Sequence, residues 1–143
     1  MTVQALLSAK GGGVISIEPA ATLEAAAKKL AEHRIGALLV LGPDRRVTGI
    51  LSERDIVRVL AEQGAAALAQ PLSQVMTRKV VTCSPSDTVN VLMERMTTGK
   101  FRHVPVVEQE QVVGVVSIGD VVKHRLHEME QESAALRDYI QTA

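Results

Sequence analysis

Val14-Ile15-Ser16-Ile17-Glu18-Pro19-Ala20-Ala21-Thr22-Leu23, set above Val80-Val81-Thr82-Cys83-Ser84-Pro85-Ser86-Asp87-Thr88-Val89, puts proline on proline and threonine on threonine at an offset of 66 residues (85 − 19). The register holds downstream. Leu23, Ala26, Ala27 and Leu30 fall on Val89, Leu92, Met93 and Met96, the i, i+3, i+4, i+7 stripe of an amphipathic helix in both copies. After one deletion in the intervening loop, Gly49-Ile50-Leu51-Ser52-Glu53-Arg54-Asp55 falls on Gly114-Val115-Val116-Ser117-Ile118-Gly119-Asp120. Self-similarity at a fixed offset decides the architecture before any single element does. The chain is two copies of one unit.

Each unit reads the same way. A short extended segment (Val14–Ile17, Val80–Cys83) stops at a proline, and a threonine able to cap a helix follows at Thr22 and Thr88. Behind the helix, Ile35–Leu41 or Val104–Val107 and then Val47–Leu51 or Val112–Val116 read as two strands of a hairpin, with Pro43-Asp44 marking the first turn. A second helix starts at Ser52 or Ser117, and Gly64 is placed to end the first of these. The pattern is β-α-β-β-α, twice. A half of roughly 65 residues is marginal alone, so the two sheets are expected to pack face to face over a shared core. The division expected is an N-terminal segment 1–13, repeats 14–64 and 80–127 joined by 65–79 with Ala65–Pro71 as linker, and a helical extension 128–143. Val122, Leu126, Met129, Leu136 and Tyr139 or Ile140 recur at three- and four-residue steps, which predicts one helix from Ile118 to about Tyr139 lying across a partner subunit.

Composition excludes several classes. With 16 basic against 16 acidic residues, no net field draws polyanions, and Phe101 and Tyr139 alone give no stacking platform, so nucleic acid is not expected as a partner. No apolar run approaches the roughly 20 residues of a membrane span. The N-terminus lacks a basic region leading into an apolar stretch. A single cysteine, Cys83, forms neither an internal disulfide nor a multi-cysteine zinc site; the reading is a reducing compartment, the cytoplasm, and a buried structural thiol. His124 and His127 lie three apart near Glu128 without further clustered ligands, so no metal is assigned. Nothing supports nucleophilic catalysis, and Lys10 before Gly11-Gly12-Gly13 is not followed by the Gly-Lys-Ser/Thr of a P-loop.

The twice-repeated Gly-x-x-Ser-x-x-Asp, the apolar strands before it, Phe101-Arg102-His103-Val104-Pro105-Val106 and the duplicated order of elements resemble a pair of cystathionine-β-synthase (CBS) domains over nearly the whole chain. The resemblance implies an α/β (α+β) fold, a tandem pair of βαββα repeats related by pseudo-two-fold symmetry with a long C-terminal helix. It also implies a non-enzymatic regulatory module that binds AMP, ADP, ATP, NAD or S-adenosylmethionine in clefts between the repeats, and a homodimer.

Ser followed three residues later by Asp at a helix start is a capping box, which satisfies orphan N–H groups of the first turn. The same geometry suits a nucleotide, because a helix N-terminus favours phosphate and a carboxylate accepts both ribose hydroxyls. Both readings stay open. By resemblance, the main cleft gathers Lys10, Gly11 and Ile15 from the segment entering the first repeat with Arg102, His103, Val104, Pro105, Ser117 and Asp120. The second gathers Ile35, Gly36, Ala37, Ser52, Arg54, Asp55, Met76, Arg78 and Val81. Gly36 stands where the other strand carries Arg102, so the Asp120 cleft ranks first for phosphate. The two functions left are a ligand sensor acting through dimer geometry or a partner protein, and a ligand-free dimerisation scaffold whose capping boxes are only structural.

Overall fold

The computed structural model describes residues 1–11 and 13–142. Helix α1 (Val3–Lys10) leads into β1 (Ser16–Ile17), α2 (Leu23–His33), β2 (Ala37–Leu41), β3 (Val47–Ser52) and α3 (Glu53–Gln63). A 3₁₀ segment (Gly64–Ala69) and the short α4 (Leu72–Val75) follow, then α5 (Val89–Gly99), β4 (His103–Glu108), β5 (Gln111–Ser117) and α6 (Ile118–Thr142). Helix starts are set by side-chain oxygens: the Thr22 and Thr88 hydroxyls accept the Ala25 and Val91 N–H groups, each at 3.2 Å. Gly64, at φ 70°, ends α3.

β1 runs parallel to β2, with Ser16 opposite Leu39, and β2 runs antiparallel to β3. β4 and β5 form the matching hairpin. In the second repeat the extended segment expected at Val80–Cys83 shrinks to one bridge, in which the Cys83 N–H donates to the Pro105 carbonyl (3.0 Å) and the Val107 N–H to the Cys83 carbonyl (2.8 Å). Pro105 is the reason, since it has no N–H for the next rung of a parallel ladder.

The expected shared core is instead two cores. Leu23, Ala26, Leu30, Leu38, Val40 and Leu51 pack with Leu72, Val75 and Met76. Val89, Leu92, Met96, Val104, Val106 and Val116 pack with Val3 and Leu6. One residue out of phase, Leu39 and Pro105 are buried as well, so the second face of each sheet is also covered. Between the hairpins the Arg45 guanidinium donates to the Val112 carbonyl (3.3 Å) and Arg46 pairs with Glu110 (2.7 Å).

The segments leading into the repeats cross over. α4 lies just before the second repeat in sequence, yet it closes the first: Leu72 and Ser73 donate to the Ala21 and Pro19 carbonyls at 2.8 and 3.1 Å, and Leu23 donates to Gln70 at 3.0 Å. α1 precedes the first repeat and closes the second through the equivalent bonds, Val3 to Asp87 (2.8 Å), Gln4 to Pro85 (2.9 Å) and Val89 to Met1 (3.0 Å). These contacts explain the glycine of each Gly-x-x-Ser-x-x-Asp. A Cβ on Gly49 would lie 2.6 Å from Met76 Sδ and 2.9 Å from the Thr77 carbonyl, and one on Gly114 would lie 2.7 Å from Leu7 Cδ2. The stretch read as a linker carries the 3₁₀ segment, with Ala67 fully buried in the first core.

Candidate ligand-binding site

Asp120 stands on the first turn of α6, at the end of β5. Its Oδ2 accepts the Ser117 N–H at 2.8 Å while its own N–H donates to Ser117 Oγ at 3.1 Å, the reciprocal pair of a capping box. Lys10, at the last turn of α1, reaches the same Oδ2 at 2.8 Å and also donates to the Val115 carbonyl at 2.8 Å. Among the described residues nothing hydrogen-bonds Oδ1. Burial pushes the Asp120 carboxyl up, but the Lys10 ammonium and the Ser117 N–H and hydroxyl outweigh it and leave it below the usual carboxylate range. His103, half-buried at the start of β4, is held below its usual value, first by burial and then by the Lys10 and Arg102 charges, against the pull of Asp120 and Glu53. Arg102 is exposed, and its side chain makes no hydrogen bond among the described residues. Lys10 and His103 stand beside this carboxylate, and the Arg102 charge lies next to His103. Lys10 and Asp120 also line a cavity of about 250 Å³ between α1 and α6, together with Lys123, His124 and His127; Arg102 and His103 do not line it.

Asp55 caps α3 in the same way, but its carboxylate is used up. Oδ2 accepts from Ser52 N (3.0 Å), Ser52 Oγ (3.1 Å) and Thr77 Oγ1 (3.5 Å), Oδ1 lies 3.4 Å from Arg58, and the residue is 8% exposed. Arg78 turns away and donates to the Ser73 carbonyl at 2.5 Å. Arg54 points to solvent. Neither supplies a cation to this cleft in the way the sequence suggested.

The other residues named from sequence divide by position. Gly11 caps the C-terminus of α1. Pro105 shares the face of His103 on β4, whereas Val104, on the opposite face, is fully buried in the second core. Gly36 lies beside Glu53 and His103: a Cβ there would be 3.8 Å from each side chain. Ala37 pairs with Ser52 in the hairpin, Met76 covers Gly49, and Ile35 packs on the first core. Ile15 packs on the first core and Val81 lies beside α5, each against the repeat it leads into. Thr77 and Glu53 were missed, because a threonine after Met76 and a glutamate inside the Ser-x-x-Asp box carry no spacing signal of their own.

The family model described as the CBS domain matches residues 12–62 and 72–127. The chain belongs to the CBS-domain family. CBS-domain pairs are generally regulatory rather than catalytic. The mitochondrial CBS domain-containing protein CBSX3 of Arabidopsis thaliana is 36% identical over 84% of this chain, which spans 60% of that relative's length. A CBS-domain containing protein from Agrobacterium tumefaciens, ATU1752, superposes with a TM-score of 0.83 at 47% identity, over 87% of this chain and 99% of that one. The CBS domain protein PAE2072 from Pyrobaculum aerophilum, complexed with AMP, gives 0.75 at 30% identity over 84% and 89% of the two chains. The CBS pair of MJ0100, in complex with 5′-methylthioadenosine and S-adenosyl-L-methionine, gives 0.80 at 25% identity over 90% and 98%.

In this CBS pair Cys83 is buried, and burial, with Asp87 adding and Arg95 opposing, raises its thiol to about 11, so it is protonated and unreactive at neutral pH. His124 pairs with Glu128 at 2.8 Å and His127 with Gln131 at 3.1 Å. No described group of three or more His, Cys, Asp or Glu side chains could hold a metal, and no described helix is long and apolar enough to cross a membrane. The depressed His103 pKa has a consequence for stability. The unfolded chain binds the proton more tightly, so the contribution is present above the usual histidine pKa of 6.5 and is lost as pH falls through the lower folded value. Thermal melts of wild type and His103→Gln from neutral pH downwards are expected to show a shallower acid-side loss in the variant. Parallel profiles would mean that His103 is not the group that charges.

Proposed function

We propose that this chain is a regulatory CBS pair that binds an adenosine-containing ligand carrying a phosphate, of the AMP, ADP, ATP or NAD kind, in the Asp120 cleft, and passes the binding on through the geometry of a homodimer. The observation that carries the reading is the half-used carboxylate of Asp120, whose Oδ1 accepts no hydrogen bond among the described residues, beside Lys10 and His103 and with the Arg102 charge next to His103. A ribose diol needs an acceptor and a phosphate needs cations, and both stand within one cleft. The ammonium of Lys10, drawn to the phosphate, would release Oδ2 to the ribose. PAE2072 with AMP and MJ0100 with S-adenosyl-L-methionine support the adenosine part of the ligand. The scaffold reading applies to the Asp55 box, whose carboxylate is occupied by Ser52, Thr77 and Arg58.

A ligand at 100 times its dissociation constant stabilises by about 2.7 kcal/mol, or roughly 5–11 °C in melting temperature for a chain of this size. AMP, ATP, NAD and S-adenosylmethionine are to be compared in that assay. Asp120→Asn, which keeps a capping oxygen, is expected to abolish most of the shift, whereas Asp55→Asn leaves it nearly intact. Equal losses would move the ligand out of the Asp120 cleft, and no shift with any of the four would leave the scaffold.

A further inference from the structure

Helix α6 runs on past the second repeat, and Val122, Leu126, Met129, Ser133, Leu136 and Ile140 follow one another in steps of four, three, four, three and four. Val122, Met129 and Leu136, and likewise Leu126, Ser133 and Ile140, recur at seven-residue intervals, the heptad of a coiled-coil seam. The apolar members are 51–65% exposed, while Val121, on the side of the helix that meets the second core, is 1% exposed. The seam therefore faces away from the body.

We propose that this seam pairs in parallel with α6 of a second copy of the chain. The charges beside the seam select both the occupant and the direction. With Val122, Met129 and Leu136 at d positions and Leu126, Ser133 and Ile140 at a, Arg125 and Glu132 fall at g, and Glu130 and Arg137 at e. In a parallel two-stranded coil each g residue meets the e residue five places on in the other strand. Arg125 then faces Glu130 of the partner subunit, and Glu132 faces Arg137 of the partner subunit, both opposite in sign and both made twice by symmetry. An antiparallel pair with the helices fully overlapped sets Glu130 against Glu130 of the partner subunit and Lys123 against Arg137 of the partner subunit. Shifting it by a heptad repairs the charges only by leaving one end of the seam uncovered. Arg125 is half-exposed and sits 3.7 Å from Glu128 in its own helix, a loose contact that leaves it able to turn.

The inference rests on the homodimer part of the proposed function and adds to it the surface and the orientation. The full chain is to be run in sedimentation velocity at micromolar concentration, where a dimer is expected. Leu136→Glu should raise its dissociation constant at least tenfold. Glu132→Arg should weaken it, and Glu132→Arg combined with Arg137→Glu should restore it. Ile140→Cys should cross-link into a disulfide dimer under mild oxidation, Cys83 being buried and out of reach. All substituted side chains are exposed, so the fold is not at stake. A monomer at these concentrations overturns the homodimer and the coil together. A dimer indifferent to Leu136→Glu overturns the coil and leaves the homodimer standing. A dimer sensitive to Leu136→Glu but not cross-linked at Ile140→Cys overturns the parallel direction.

Discussion

Leu72→Ala is expected to lower the stability of the chain by about 2–5 kcal/mol, the range for removing a buried leucine side chain from a core that cannot fully collapse. Leu72 is fully buried, and the core it fills belongs to the first repeat, although the residue lies in the segment that leads into the second. Urea unfolding gives the magnitude. Hydrogen exchange gives the location, which is the sharper claim: protection should fall in α2, β2 and β3 before it falls in α5, β4 and β5. Val3→Ala is the mirror case, losing two methyl groups at roughly 0.8 kcal/mol each, and it should loosen the second repeat first. Loss of protection on the sequence-adjacent side in either variant would contradict the crossing of the lead-in helices.

Arg102→Ala is expected to weaken AMP binding by roughly 10- to 150-fold, equivalent to about 1.5–3 kcal/mol for a hydrogen bond to a charged group, and to leave adenosine binding unchanged. The side chain is exposed and makes no hydrogen bond among the described residues, so its removal takes nothing from the fold that adenosine would report. Titration calorimetry with both ligands supplies its own control. A loss of the same factor for both would make Arg102 a support of β4 rather than a phosphate contact. The protonation window follows from the burial of His103: because its pKa lies below 6.5 in the free protein, any tightening of AMP with acid is expected below that value rather than across it. The phosphate titrates at about 6, so the comparison must be made with His103→Gln.

Much of this was legible from the chain because a repeat offers two readings of every element. Thr22 and Thr88, the two hairpins and the two Ser-x-x-Asp boxes each stood in a pattern of local residues, and local hydrogen bonds decide them. Helix α1 was not legible: Val3, Leu6 and Leu7 span barely two turns before a glycine run, too little periodicity to separate a helix from a tail. Its destination is a long-range matter. Val3 and Leu72 hold equivalent places, but at an offset of 69 (72 − 3) rather than 66, with few identities between the segments to reveal it. Pro105 was visible in the sequence, yet its effect on the edge segment at Cys83 depends on knowing which strand it faces. At the site, the residue types were legible and their commitments were not. Arg78 is taken by Ser73, Asp55 by Thr77 and Arg58, and Lys10 by the very carboxylate it was expected to accompany.

The exchanged lead-in helices bear on how such a chain can be cut. A fragment holding one repeat and the helix that precedes it in sequence carries the wrong lid: its own core lies open, and its helix fits only the other repeat. Two such fragments can still satisfy each other by trading helices, which is a domain swap between separate molecules. The tandem chain is that swapped pair with its two halves joined, so the indivisible unit is the pair. Any graft of this module into another protein must include Met1 and Thr2, whose backbone holds the start of α5, rather than begin at the first strand.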